Sequence, residues 1–92
     1  MKRSLGTTKS RNVRVDGRRT GVRLERAEWD ALREVMAFER VDLKQICSLV
    51  DQQRSESAFT SGLRVFLLKY FRRRAHIGGG NAPLGLDSVL SD

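Results

Sequence analysis

The feature that most constrains the fold is a short run in which apolar and basic residues alternate, Arg18-Arg19-Thr20-Gly21-Val22-Arg23-Leu24-Glu25. Successive side chains of a β-strand point to opposite faces, so this alternation predicts a strand with two different faces. Thr20, Val22 and Leu24 share one face, which should pack against a core. Arg19, Gly21 and Arg23 share the other face, which is suited to binding anions. The strand should therefore lie on helices and expose its basic side.

The residues before this strand contain a turn signal, Asp16-Gly17. Asp-Gly between alternating residues favours a hairpin with a two-residue type I′ turn. Such a hairpin would pair Val15 with Arg18, Arg14 with Arg19 and Val13 with Thr20. Directly opposed arginines repel each other unless an anion lies between them. A hairpin and a flexible basic arm are therefore both open alternatives for this segment.

After Glu25 the apolar spacing changes from two to about 3.6 residues, the period of an α-helix. The first helix is predicted from Arg26 to Glu39. A second helix is predicted over residues 43–53, because Asp42 and Gln45 form a capping-box pattern before it.

A third, strongly apolar helix is predicted from about residue 57 to residue 74. The run Gly78-Gly79-Gly80 then interrupts regular structure, and the polar composition beyond it predicts a disordered tail over residues 75–92. Residues 1–12 are predicted to be a flexible basic arm, and residues 13–74 the folded domain.

The positive charge is confined to one end of the chain. Residues 1–26 carry nine basic and two acidic side chains, a net of +7, whereas the remaining residues carry nine of each. A polarised basic charge favours a polyanionic partner, and nucleic acid is the usual one. The alternative is a solvated basic tail with no partner.

Other function classes find little support in the sequence. No stretch approaches the ~20 apolar residues of a membrane span, and the N-terminus lacks the apolar region of a secretory signal. The single cysteine, Cys47, suits a reducing cytoplasm. His76 has no catalytic partner, and one His with one Cys cannot form a zinc site. We expect no enzymatic activity and no cofactor.

The size of the domain predicts a homodimer. A chain this short buries little surface, and a lone strand needs a partner for its backbone groups. The third helix is apolar around more than half its circumference. Antiparallel pairing of the strand with the same strand of a second chain would satisfy these needs.

The sequence resembles the ribbon-helix-helix DNA-binding proteins in three features taken together. These are the strand pattern basic-Thr-small-Val-Arg-Leu-Glu, a Trp that follows it, and two amphipathic helices. The closer likeness is to a bacterial subfamily with an added third helix, and it covers about residues 13 to 71. The matching residues are Arg19-Thr20-Gly21-Val22-Arg23-Leu24-Glu25, Trp29, Ala31-Leu32, Glu34-Val35, Leu43, Ile46-Cys47, Val50-Asp51 and Phe59–Leu68.

The resemblance implies a mainly α fold with one short ribbon strand, in which an intermolecular antiparallel ribbon enters the major groove. Outward strand side chains would read bases, and the N-terminus of helix two would hold a phosphate. The expected DNA-binding residues are Arg19, Gly21 and Arg23 at the bases and Arg14, Arg18 and Lys44 at phosphates. An arginine fork can bind guanine O6 and N7 in a bidentate manner.

Three residues depart from the family pattern. Gly21 replaces a usual serine, which leaves the middle of the reading face without a side chain. Arg40 stands where a helix-ending glycine is usual. Asp42 replaces a serine, so its charge would repel a phosphate unless Lys44 compensates.

These features predict a cytoplasmic bacterial transcriptional regulator that binds double-stranded DNA in a sequence-specific manner. The alternative is a protein-interaction module of the antitoxin or adaptor type with the same dimer fold. In that case the third helix or the tail, which carries apolar residues between Leu84 and Leu90, would dock a protein partner.

Overall fold

A computed structural model describes residues 8–15, 17–53 and 58–90. The elements in chain order are β1 (Thr8–Val15), β2 (Arg18–Glu25), α1 (Arg26–Glu39), α2 (Leu43–Gln53), α3 (Phe59–His76) and α4 (Leu86–Leu90). This confirms the predicted mainly helical fold with a short ribbon. Within the described ranges, no helix has the length and apolar character needed to cross a membrane.

The ribbon is a hairpin within one chain. β1 and β2 pair antiparallel from Thr8 opposite Glu25 to Val15 opposite Arg18. Gly17 in the turn has a φ of 83°, a left-handed conformation that glycine adopts without steric cost. Of the two alternatives for this segment, the hairpin is the one present, with the predicted register. Asp16, the other residue of the turn signal, lies outside the described residues.

The prediction of a flexible arm over residues 1–12 is wrong for residues 8–12, which belong to β1; residues 1–7 lie outside the described residues. Two contacts with α1 hold this strand in place. Trp29 donates a hydrogen bond from Nε1 to the carbonyl oxygen of Lys9 (3.0 Å), and the Arg11 guanidinium lies 5.3 Å from the centre of the Trp29 ring. Residues 8–12 were missed as part of the strand because they are exposed and lack apolar alternation.

The inner face of the hairpin packs on the helices in a single core. Val15, Val22 and Leu24 of the hairpin are at most 1% exposed. The helices cover them with apolar stripes: Trp29, Leu32 and Val35 of α1, Ile46, Cys47 and Val50 of α2, and Leu63, Phe66, Leu67 and Tyr70 of α3.

Capping interactions fix the predicted start of two helices. Glu25 and Glu28 form a capping box at the start of α1, and the backbone N–H of Glu25 donates to Glu28 Oε1 (2.8 Å). At the start of α2, Gln45 N donates to Asp42 Oδ1 (2.8 Å), and Asp42 N donates to Gln45 Oε1 (2.9 Å). These paired bonds satisfy N–H groups that have no partner within a helix. The predicted bounds of α1 and α2 are confirmed.

The predicted disordered tail is wrong for residues 75–90. The chain turns back after α3 and forms α4, whose Leu86 and Val89 are buried in the core. Arg74, which is 5% exposed, holds the intervening segment: Nη1 donates to the Gly80 carbonyl (2.6 Å) and Nη2 to the Ala82 carbonyl (2.9 Å). A sequence scan cannot detect this order, because distant polar partners create it.

Arg74 is part of a buried polar cluster with Glu39 and Tyr70, here called the Arg74 cluster. The Tyr70 hydroxyl donates to Glu39 Oε2 (2.5 Å) and accepts from Arg74 Nη2 (2.7 Å). The backbone N–H groups of Leu84 and Gly85 also donate to the Glu39 carboxylate, at 2.8 and 2.9 Å. The cluster thus ties α1, α3 and the tail together.

Burial and hydrogen bonding act in opposite directions on the pKa of Glu39 in the Arg74 cluster. Burial alone would raise the pKa of Glu39, but the bonds from Tyr70, Leu84 and Gly85, with the Arg74 charge, lower it overall. Burial raises the pKa of Tyr70 to about 12. The cluster therefore holds an ionised carboxylate against a protonated phenol at neutral pH.

The expected pairing of strands between two chains stays a prediction. Within the described residues the sheet has two strands, and β1 supplies the partner that β2 was predicted to find in a second chain. The tail also covers part of α3, since Leu86 and Val89 pack into the same core as Leu63 and Phe66. Two of the reasons for expecting a dimer are thus partly met within one chain.

Candidate nucleic-acid interface

The outward face of the hairpin is polar and exposed along its whole length. Directly opposed residues of antiparallel strands share a face, so the register assigns eight residues to this one. They are Thr8, Ser10, Asn12 and Arg14 of β1 and Arg19, Gly21, Arg23 and Glu25 of β2. We call this surface the outward face. The hairpin turns its opposite side to the core, so the outward face is free to meet a partner.

Arg14 and Arg19 lie directly opposite each other near the turn. Both are exposed, and Arg14 makes one long hydrogen bond from Nη1 to the Gly17 carbonyl (3.5 Å). Like charges at directly opposed positions destabilise a sheet. An anion between the two guanidinium groups would remove this cost.

Arg23 continues the basic face toward the other end of the hairpin. Arg19 and Arg23 are four residues apart on one strand, about 13 Å at ~3.3 Å per residue. Arg64 of α3 supports this end: its Nη2 donates to the Arg23 carbonyl (3.4 Å), and its Nε donates to the Glu28 carboxylate (3.1 Å to Oε2). Sequence reasoning did not identify Arg64, because a contact between residues so distant in sequence leaves no local pattern.

The middle of the outward face is formed by Asn12 opposite Gly21. The absence of a side chain at Gly21 was expected to leave this centre empty, but β1 supplies an amide side chain there. A Cβ at Gly21 would meet Asn12 Oδ1 at 3.7 Å. Asn12 could have been found by extending the predicted pairing of Arg14 with Arg19 one step along the ladder.

Arg18 does not share the outward face with the other arginines. It stands opposite Val15, which is a core residue, and its Nη2 contacts Asp51 Oδ2 of α2 at 3.2 Å. The Arg18 side chain is nevertheless 61% exposed. Its expected phosphate contact stays a prediction, and its ion pair with Asp51 links it to α2.

Lys44 lies near Arg14 at the junction of the hairpin and α2. The two residues line a concavity of about 330 Å³ with Val13 and Leu43. The N-terminus of α2 is itself occupied, because Asp42 Oδ1 already accepts the N–H of Gln45. A phosphate at this junction would therefore meet the cations of Arg14 and Lys44 beside the helix terminus.

No group of His, Cys, Asp and Glu side chains in the described part of the chain is arranged to hold a metal ion. Burial raises the pKa of Cys47 to about 11, so its thiol is protonated and unreactive at neutral pH. The basic outward face, in contrast, has a clear chemical preference, which is to bind anions.

Comparison with known proteins identifies the fold family. Residues 8–71 match the model of a family described as the ribbon-helix-helix domain. Among solved structures, the chain is similar to an uncharacterized protein from Bordetella pertussis Tohama I, with 34% sequence identity and a TM-score of 0.62. The match covers 75% of this chain and 59% of that chain, so this chain spans less than two thirds of that protein. No curated protein matches this chain. Because the family match extends over more than half of its length, the protein belongs to the ribbon-helix-helix domain family.

Proposed function

We propose that this protein is a sequence-specific DNA-binding transcriptional regulator, which acts on cytoplasmic double-stranded DNA as a homodimer and inserts its β-ribbon into the major groove. The observation that carries the proposal is the exposed, direct opposition of Arg14 and Arg19, with Arg23 in line on the same face. A polyanion is the partner that would neutralise this arrangement.

The shape of the hairpin supports the same proposal. A major groove about 12 Å wide admits a two-stranded ribbon, and the strands of such a ribbon lie about 4.8 Å apart. The one acidic residue of the outward face, Glu25, lies at the far end and accepts a hydrogen bond from Thr8 Oγ1 (2.8 Å). The centre of the face is thus basic and amide-bearing.

The residues divide into two roles. Arg19 and Arg23 contact base edges, where each bidentate contact to guanine is worth about 1–3 kcal/mol of discrimination. Arg14 and Lys44 contact phosphates, which position the protein without specifying sequence. The electrostatic share of binding makes the affinity fall with salt, by about 0.9 in the log–log slope for each phosphate neutralised.

The test is a selection from random DNA fragments followed by fluorescence anisotropy on the recovered site. The variant Arg19→Ala/Arg23→Ala should lose the preference for the selected site over scrambled DNA. The matched control, Arg33→Ala/Arg72→Ala, removes the same charge from two arginines on helices and should keep that preference. Wild-type affinity and selectivity in the Arg19/Arg23 variant would contradict the proposal.

A second candidate function, a protein-interaction module of the antitoxin or adaptor type, has one observation in its favour. The large apolar side chains that are exposed within the described residues are Val65, Leu68 and Ile77, all on α3 or at its end. The tail is a weaker candidate for docking, because Leu86 and Val89 are already buried. Two results together would favour this function. A protein partner should co-purify in stoichiometric amount with the wild type but not with Val65→Ser/Leu68→Ser, and neither the wild type nor this variant should bind DNA.

A further inference from the structure

The first strand of the hairpin, and not the second, supplies the central side chain of the outward face. Asn12 of β1 stands opposite Gly21, between the pair Arg14–Arg19 on one side and the pair Ser10–Arg23 on the other. We infer that Asn12 is the residue that determines specificity at the centre of each half-site, and that it reads an adenine. This inference rests on the proposed function.

Gly21 provides the first line of support. Its φ is not in the left-handed region, and within the described residues only Asn12 Oδ1, at 3.7 Å, would meet a Cβ there. The fold therefore does not need a glycine at this position. A glycine inside a strand costs roughly 0.5–1 kcal/mol relative to alanine, and it often marks a place where a ligand approaches the backbone closely.

The surface around Gly21 has the matching shape. A shallow concavity of about 160 Å³ is lined by Ser10, Arg11, Asn12, Gly21, Val22 and Arg23. The gap at Gly21 lets a base edge come down to the strand, beside the amide that β1 supplies. A side chain at position 21 would fill this gap and compete with the base.

The chemistry of Asn12 provides the second line of support. A carboxamide offers a donor and an acceptor side by side, and in the major groove this pattern matches N7 and N6 of adenine. Asn12 is exposed, and no described residue forms a hydrogen bond with its side chain. The amide is therefore available to a base without first breaking a hydrogen bond to the described part of the chain.

The flanking arginines make the expected site more specific. Arg19 and Arg23 each lie two residues from Gly21, about 6.6 Å along the strand. This length corresponds to roughly two base pairs at ~3.4 Å each. We therefore expect an adenine preference between two guanine preferences in each half-site.

The experiment measures base preference position by position, with wild-type protein, Asn12→Ala and the control Ser10→Ala, on the selected site and its single-base variants. Asn12→Ala should lose roughly 5- to 150-fold of discrimination, the equivalent of about 1–3 kcal/mol, at one adenine position. Ser10→Ala lies on the same strand and face and should keep that adenine preference. Affinity for scrambled DNA should be unchanged in Asn12→Ala.

A second variant separates binding from folding. Gly21→Ala should unfold at the same or a higher temperature than the wild type, because alanine is favoured over glycine in a strand. Its affinity for the selected site should nevertheless fall at least fivefold. Unchanged affinity in Gly21→Ala, or an unchanged adenine preference in Asn12→Ala, overturns the inference while leaving the proposed function intact. Failure of the wild type to select any DNA sequence overturns both.

Discussion

Replacing Arg74 with methionine tests the main structural finding outside the hairpin, the polar attachment of the tail. Methionine keeps much of the side-chain length but removes the donors to the Gly80 and Ala82 carbonyls. It also removes the cation 3.6 Å from Glu39 Oε2, whose side chain is only 3% exposed. The carboxylate would then remain buried with neutral donors alone.

The expected cost follows from these contacts. Removing one partner of a buried ion pair typically costs about 3–5 kcal/mol, because it leaves the other charge uncompensated. Glu39 keeps its hydrogen bonds from Tyr70, Leu84 and Gly85. We therefore expect the lower end of the range, a loss of about 3 kcal/mol in the free energy of unfolding.

The assay is urea unfolding followed by the fluorescence of the single tryptophan, Trp29. With a slope of about 1–3 kcal/mol per molar urea, Arg74→Met should lower the unfolding midpoint by about 1–3 M. The control Arg72→Met removes the same charge from an exposed position of α3. It should change the free energy of unfolding by no more than ~0.5 kcal/mol.

A loss in Arg74→Met that stays within ~1 kcal/mol of the Arg72→Met value would refute the reasoning. It would mean that apolar packing of Leu86 and Val89 holds the tail without help from the Arg74 cluster. The double variant Glu39→Gln/Arg74→Met gives an independent check. Because the two residues belong to one network, its loss should be smaller than the sum of the single losses.

Three further predictions concern separate features. Tyr70 is the single tyrosine, so ultraviolet titration should show one midpoint at about 12 in the folded protein. Because folding raises the pKa of Tyr70, the protonated phenol contributes its full stability below pH ~10, and this contribution is lost as the pH rises toward 12. A folded-state midpoint near 10 would contradict the burial of the phenol. Arg40 ends α1 with a φ of 59°, so Arg40→Gly should raise the free energy of unfolding by about 1 kcal/mol. The control Arg33→Gly, inside α1, should lower it by about as much. A lower free energy of unfolding in Arg40→Gly would show that the left-handed residue carries no strain. Light scattering at micromolar concentration should give about twice the 10.5 kDa chain mass, and a monomer mass would exclude the proposed dimer.

The parts of the fold that were predictable from the sequence are those determined by neighbouring residues. The start of α2 follows from a capping pair three residues apart, Asp42 with Gln45, and the extent of α1 from the change in apolar period after Glu25. The register of the hairpin follows from Asp16-Gly17 and the parity of the strands, because a two-residue turn fixes every pair beyond it.

The parts that were not predictable depend on residues far apart in the chain. The tail is ordered because Arg74 and Glu39, 35 positions apart, bind its backbone groups. Its composition, rich in Gly, Ser and Asp, predicted disorder, although it also holds the apolar residues Leu86 and Val89 that are buried in the core. The beginning of β1 has few apolar residues, and it is held by a hydrogen bond from Trp29 to a backbone carbonyl. Hydrophobic alternation does not predict such a contact.

Two of the three departures from the family pattern, Gly21 and Asp42, become consistent once the hairpin is considered as a whole. Gly21 removes a side chain from β2, and Asn12 of β1 stands opposite the gap. Asp42 uses its carboxylate to cap α2, so the helix terminus is occupied, while Lys44 and Arg14 line a concavity beside it. Under the proposed function, base reading is therefore shared between the two strands of one chain. The phosphate contact moves from the backbone of α2 to side chains on either side of the junction. This division of roles makes a prediction for the variant Arg14→Ala/Lys44→Ala. Its affinity for DNA should depend less steeply on salt than that of the wild type, and its base preference should be unchanged.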